Sequence, residues 1–369
     1  MSKRTPSFHR PQQGFTLIEL MVGVVLGTLA ILAIAQVMLM SEGSKRSITS
    51  GADAQISGAL GLFTLQREVG MAGYGFSAIP ASLGCRVNYQ YTALPTAHFT
   101  LAPVIISAGD DGSNTITVLR GTKSSFSVPM LVTTAHAPAS TEFTVESAFG
   151  AAVGDLMVAM PLDITTTDCQ IFQVSSTPLN NKIPHAIVAT SPWNAGSASA
   201  GTFPINSYLL DMGGLSMQEF SVNKVTRSLE SRQLTGAGTW GSAQDVQSQV
   251  VMLKALYGKD TVADAINEVD TYNTTTPTNN AEWKQVLSIR VLIVSRSAQP
   301  AALDEADPTP ATLEWDVGTD NVAGSATCHT NRKCISIDLS PLGNDYRRYR
   351  YKLYDTVIPL RNMLWKAED

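Results

Sequence analysis

From Leu20 to Ser41 the chain runs for 22 residues without a charged side chain. A helix of that length reaches across the hydrocarbon layer of a bilayer. The fourteen residues at the start of the chain hold Lys3, Arg4 and Arg10 and no acid. By the positive-inside rule this leader stays in the cytoplasm, and everything after the apolar run is exported. A secretory signal would close its apolar core with a small-residue cleavage site, and none follows here. The Gly14–Phe15 junction instead precedes the run. A cut there would remove the basic leader and leave the apolar segment on the mature chain. Glu19 stands at the entrance to that segment. A carboxylate in hydrocarbon is costly unless paired, which marks Glu19 as a functional residue. The competing reading is a plain signal anchor whose Glu19 snorkels to the interface. Gly23 and Gly27 form G-x-x-x-G, a spacing that permits close helix contact. Glycine is also common in membrane helices without that role.

The rest of the composition narrows the function class. The 369 residues allow one large or two ordinary domains. Charged residues make up only 15%, as suits a secreted or surface β-rich protein. The formal net charge is −5, and without the three leader bases 23 bases face 31 acids, a net of −8. No basic bias points to nucleic acid as the main partner. Four cysteines in an exported chain read as two disulfides, and three pairings are open. Cys328 and Cys334 enclose the five-residue loop His-Thr-Asn-Arg-Lys, where a local bridge would tie down a turn. Cys85 and Cys169 then remain to pair with each other. His329 beside Cys328 raises a metal site as a rival, but the paired C-x-x-C geometry is missing and no metal is expected. The five histidines sit in no known constellation, and no G-x-S-x-G, H-E-x-x-H or P-loop is present, so no enzyme and no cofactor are expected.

The residues G-F-T-L-I-E-L-M-V, Gly14 to Val22, resemble the class III signal of type IV pilins and type II secretion pseudopilins. The resemblance implies that a prepilin peptidase cuts between Gly14 and Phe15 and methylates the new N-terminus at Phe15. Glu19 is then the fifth residue of the mature chain, where that family places its glutamate. The amine freed at Phe15 of a neighbouring subunit would neutralise Glu19 and set the axial register between subunits. Three further segments resemble PilW-type minor pilins: L-Q-R-E-V-G-M-A-G-Y-G (Leu65 to Gly75), R-V-L-I-V-S-R-S (Arg290 to Ser297) and Y-R-R-Y-R-Y-K-L-Y-D-T-V-I-P-L-R-N-M (Tyr346 to Met363). The middle of the chain, residues 93–240, carries no matching motif.

The resemblance implies a minor pilin that waits in the inner membrane with its body in the periplasm, then primes assembly at the fibre tip on the cell surface. Its partners would be the major pilin, other minor pilins, the prepilin peptidase and the inner-membrane assembly platform. Rival readings are a tip adhesin or DNA-uptake module, and a J-type pseudopilin of type II secretion. The implied layout is a leader at 1–14, a transmembrane half-helix at 15–40, an exported amphipathic half at 41–72 and a body at 73–369.

Periodicity gives the elements. Ile48, Ala52, Ile56, Ala59 and Phe63 draw one apolar stripe on a helix expected to reach about Met71. Gly70, Gly73 and Gly75 punctuate its end. Strands are expected at Pro103–Ile106 and Thr115–Arg120, with a solvated turn at Asp110–Asn114 rather than a calcium loop. Others are expected at Phe143–Val145, Leu156–Met160 and Gln170–Val174, and a loop at Ala189–Asn206. A helix is expected over Asp245–Tyr257, with Val246, Val250, Leu253 and Tyr257 as its apolar face and Gly258 as its stop. Val286–Ser295, apolar on both faces, reads as a central strand. In Tyr346–Tyr354, Tyr349, Tyr351 and Leu353 alternate with Arg348, Arg350 and Lys352, as on a strand with one aromatic and one basic face. Binding of single-stranded nucleic acid there is the weaker reading. The sum is an α+β fold, a long N-terminal helix packed on a mainly antiparallel sheet, and the resemblance implies the same, a type IV pilin-like fold.

Overall fold

The computed structural model describes residue 14 and residues 16–92, 94–125, 127–194, 201–235, 239–262, 268–300 and 309–364, with the backbone alone at 40 and 42–50. The chain divides into residues 1–52 and 53–369. A single helix, Leu17–Gly70, contributes to both.

In the first unit the helix begins with a reciprocal cap. The Glu19 backbone N–H donates to Thr16 Oγ1 at 3.3 Å. Glu19 Oε2 accepts from the Thr16 backbone N–H at 3.1 Å and from its hydroxyl at 3.0 Å. This T-x-x-E box satisfies donors that a helix start leaves open. From Leu17 to Leu39 the helix is long and apolar enough to cross a membrane, and all its side chains there are exposed.

In the second unit the helix packs on the body with an unexpected face. Ala54, Ser57, Leu65, Glu68 and Val69 are buried, as are Gly58 and Gly61. A Cβ at Gly58 would lie 2.1 Å from the Tyr354 ring and 3.0 Å from Ser295 Oγ, and one at Gly61 would lie 3.2 Å from Ile293 Cδ1. Ser295 Oγ donates to the Ala54 carbonyl at 2.8 Å, and Gln247 Nε2 donates to Ser57 Oγ at 3.1 Å. The expected stripe is therefore corrected. Ala52 and Ala59 are exposed, Ile56 is 58% and Phe63 63% exposed, and the side chain of Ile48 lies outside the described residues. The sheet already supplies the bulk at this contact through Tyr354, Ile293 and Val250, so small residues are what fit against it. Gly73 and Gly75, with φ of +81° and +94°, turn the chain away after the helix.

The sheet under the helix runs Thr271–Asn273, Val250–Lys259, Val286–Arg296 and Tyr351–Pro359, antiparallel throughout. Val286–Arg296 lies inside it and is buried from Val286 to Ser295, as a doubly covered strand should be. The helix expected over Asp245–Tyr257 is not formed. Gln244–Ser248 and Val250–Lys259 are strands, separated by Gln249 at φ +59°. Every residue from Val250 to Lys259 except Lys254 is buried. A run apolar on all sides satisfies helical spacing and a doubly covered strand equally, and tertiary pairing decides between them. Gly258 is no helix stop. A Cβ there would meet Ser288 Oγ at 2.2 Å within the sheet.

A second antiparallel sheet runs Gln244–Ser248, Ser228–Gln233, Leu215–Asn223, Asn114–Gly121 and Val104–Ala108. Its last two strands form the expected hairpin. At the hairpin tip Asp110 pairs with Lys224 at 3.3 Å and Asp111 with Arg227 at 3.1 Å, so these acids face cations of the body. A third sheet runs Ala97–Thr100, Arg86–Tyr89, Cys169–Gln173, Leu156–Met160, Tyr208–Gly213 and Met130–Leu131. Its pairing of Arg86–Tyr89 with Cys169–Gln173 is the one parallel ladder among the described strands. Glu142–Thr144 pairs with Lys182–Pro184, and Thr312–Gly318, Arg332–Asp338 and Ala326–His329 form a further small sheet. In Tyr346–Tyr354 exposed and half-buried residues alternate from Arg348 to Leu353, but the strand begins only at Tyr351, because Asn344–Arg348 closes into a 3-10 turn.

The glycine contact gives a direct test. Gly58→Val should destabilise the full chain in detergent by roughly 1–3 kcal/mol, through overpacking against Tyr354. Gly51→Ala, with nothing within 4 Å of its Cβ, should instead gain up to about 1 kcal/mol of helix propensity. Thermal unfolding of the two variants checks the contrast, and equal midpoints would remove the close-packing argument.

Candidate functional site

Two groups of residues organise the chain's chemistry: the helix start with its exposed faces, and buried polar clusters in the body. At the helix start, Gly14 precedes the cap, and Phe15, the expected methylation residue, lies outside the described residues. Glu19 is exposed and engaged by Thr16 alone among the described residues. Gly23 and Gly27 are likewise exposed, with nothing within 4 Å of a Cβ at either position. Each unit carries an exposed apolar surface. The first has Leu17 to Leu39, and the second has Ile56, Leu60 and Phe63 along one side of the helix. Those residues lie at i, i+4 and i+7, the spacing of one apolar helix face.

The cysteines pair as Cys85–Cys169 and Cys328–Cys334. The first bridge joins the segment after the helix to the third sheet, beside its parallel ladder. The second crosses a hairpin. Cys328, His329 and Cys334 present three donor atoms within 4.8 Å of one another. Both sulfurs are held in the disulfide, so the geometry that gathers them is that of the bridge.

Two of the five histidines meet, which sequence spacing did not show. His136 and His185 are each 2% exposed, and their Nε2 atoms lie 2.9 Å apart. His136 Nδ1 lies 2.9 Å from the Gly201 carbonyl. A carbonyl only accepts, so His136 carries its proton on Nδ1, and its Nε2 accepts from His185 Nε2. Among the described residues His185 Nδ1 is buried without a hydrogen-bond partner. Phe143 stacks on His136 at 3.9 Å, and Phe172 and Phe203 complete an aromatic shell. Burial first, and then the charge of His136, push His185 down to about 4. Burial also lowers His136, against the opposing Gly201 carbonyl. The acid nearest in effect is Glu142, whose charge favours the protonated form and which is itself paired with Lys182.

A second cluster surrounds Lys123. Its ammonium contacts Asp155, Asp211 at 2.9 Å and the Gly150 carbonyl at 2.7 Å. Burial pulls Lys123 down, but hydrogen bonds and charge from the two aspartates outweigh it and hold it above the ordinary lysine value. Two hydrogen bonds, to Asp155 and the Gly150 carbonyl, and an ion pair with Asp211 commit this ammonium to a structural role. The basic stretch near the C-terminus is also partly engaged. The Arg296 guanidinium covers the Tyr349 ring at 4.3 Å, so that ring face is already used within the protein.

Two family models match the chain. The prokaryotic N-terminal methylation motif covers residues 9–35, and type IV pilus-assembly protein W covers residues 217–362. The first contains Gly14, Phe15 and Glu19. The second contains the central strand and the closing Tyr351–Pro359 strand, while residues 36–216 lie outside both. No curated protein and no solved structure matches.

The histidine pair gives a pH dependence whose sign follows from linkage. In the unfolded chain both histidines titrate near the ordinary value of about 6.5. The folded pair stays neutral, so between pH 6.5 and about 4 the unfolded state binds more protons. The contribution is fully present above pH 6.5 and is lost as pH falls, about 2 kcal/mol from His185 by pH 5. Thermal midpoints between pH 7 and 5 should fall for the native chain, and His185→Phe should flatten that slope.

Proposed function

The chain is a PilW-like type IV pilin, and from that premise we propose that it primes fibre assembly and sits at or near the fibre tip. A minor pilin role fits the pilus-assembly family, which is structural rather than an enzyme class. The class III signal and the apolar helix fit a membrane-anchored pilin. On this reading residues 1–14 are removed, residues 15–40 hold the chain in the inner membrane, residues 41–72 continue the helix outside it, and residues 73–369 form a periplasmic body. The partners would be the prepilin peptidase, the assembly platform, the major pilin and other minor pilins.

The observation that carries the proposal is the inverted helix face. The body takes Gly58, Gly61, Ala54 and Ser57, while Ile56, Leu60 and Phe63 remain outside. An apolar face left uncovered by its own domain fits a helix that packs among other subunits. Heterologous contacts of that kind extend a filament instead of closing a ring. The bulk of the second unit, residues 53–369, supports an end position, because a large body is hard to repeat in a tightly packed fibre.

The proposal gives Glu19 two duties, as a helix cap within its own chain and as the counter-charge for a neighbour's amine. Glu19→Gln separates them, since glutamine keeps the capping oxygen and loses the charge. The variant should insert in the membrane at normal levels but enter fibres poorly, as scored by the protein in sheared fibres. Incorporation equal to the native chain would remove the register role. For priming itself, a strain lacking the protein should show few surface fibres with retraction intact and partial recovery with retraction disabled. Normal fibre numbers in both backgrounds would overturn it.

A further inference from the structure

At the C-terminal end of the helix a groove opens along Gly70 and Met71. One part, about 340 Å³, is lined by Phe63, Gln66, Arg67 and Arg361. The adjoining part, about 440 Å³, shares Gly70, Met71 and Arg361 and reaches Tyr74, Arg120 and Thr122. We propose that this groove docks an acidic segment of a partner protein, with carboxylates on its arginines and an apolar side chain against Phe63 and Met71.

Three guanidiniums converge there, and one carboxylate answers them. Glu68, 8% exposed, takes Arg67 at 2.8 Å and Arg120 at 3.3 Å. Arg361 has no ion pair among the described residues. Lys123 also lines the groove, but its ammonium is committed to Asp155, Asp211 and Gly150. The helix C-terminus is itself a site of partial negative charge, and Glu68 adds to it, so the groove's free positive charge resides on Arg361 and the outer edges of Arg67 and Arg120. Guanidinium forks match carboxylates with paired hydrogen bonds.

The site is rigid. Asn362 Nδ2 donates to the Ala72 and Met71 carbonyls at 2.9 and 3.3 Å, and Met363 is 1% exposed, so the two residues next to Arg361 are anchored. The Tyr74 hydroxyl donates to the Lys123 carbonyl at 3.1 Å, which fixes the other wall. The floor is apolar and open: Phe63 is 63% and Met71 36% exposed, and nothing lies within 4 Å of a Cβ at Gly70. The groove also begins at Phe63, the last member of the exposed helix face, so a subunit covering that face would reach it. A short acidic peptide feels mainly these local arginines. A long polyanion such as a nucleic acid would also feel the chain's net −5, which opposes it. The docking site stands on the groove itself and does not require that the protein primes fibres.

The test uses the full-length protein in detergent micelles and a fluorescein-labelled peptide, EELELEE, read by anisotropy at low salt. Binding should be retained by Lys224→Gln, a surface control away from the groove. It should weaken by at least about fivefold with Arg361→Gln, which removes a charge-assisted contact. A similar loss should follow Gly70→Met, which fills the groove without adding charge, and with the uncharged peptide QQLQLQQ. Absence of EELELEE binding, equal affinity for QQLQLQQ, indifference to both groove variants, or tighter capture of a thymidine oligonucleotide through Arg361 would each overturn the proposal.

Discussion

The close approach of the helix backbone to the central sheet governs much of the second unit. A Cβ at Gly58 would collide with the Tyr354 ring, and one at Gly61 would sit tightly against Ile293. With small residues inward, Leu65 and Val69 can reach the main core beside Ile293, Val291 and Phe220. The same geometry sends Ile56, Leu60 and Phe63 outward. Intramolecular packing and an exposed apolar face are thus two sides of one helix, and a mutation that enlarges the inner face disturbs the placement of the outer one.

Away from that contact the body is held by buried charge as well as by apolar packing. Arg290, 6% exposed, donates to Asp320 at 2.7 Å and to the Val317 carbonyl at 3.2 Å, and also bonds Asp355. It lies 5.6 Å from the Trp315 ring centre. One guanidinium thereby joins the central strand to the small sheet containing Trp315. Lys123 plays the corresponding part between the end of the Asn114–Gly121 strand and the third sheet, through Asp155 and Asp211. Such groups are costly to desolvate, and their value is geometric: removing one partner strands a buried charge. The histidine pair differs, because its neutral form is the one that fits, which makes that small core acid-sensitive.

The features at the start of the helix belong to a different environment. Thr16 and Glu19 satisfy each other in the isolated chain. That local cap gives the carboxylate hydrogen-bond partners within its own chain. It also holds the carboxylate at the helix N-terminus, where the helix dipole favours negative charge.

The sequence by itself determined the parts that rest on short-range or one-dimensional signals. The uncharged run after Gly14–Phe15, the acid at Glu19, the hairpin about Asp110–Asn114 and the doubly apolar strand at Val286–Ser295 are all legible along the chain. The α+β class follows from them. Only the tertiary structure decided which side of the helix faces inward, because hydrophobic periodicity weighs polarity and takes no account of the space left by Tyr354 and Ile293. It also decided that Val250–Lys259 is a strand, since a segment buried on every side has no period that separates helix from sheet. The meeting of His136 with His185, 49 residues apart, and of Lys123 with Asp155 and Asp211, depends on strand pairing across the body. No local pattern encodes those distances, so they exist only once the sheets have formed.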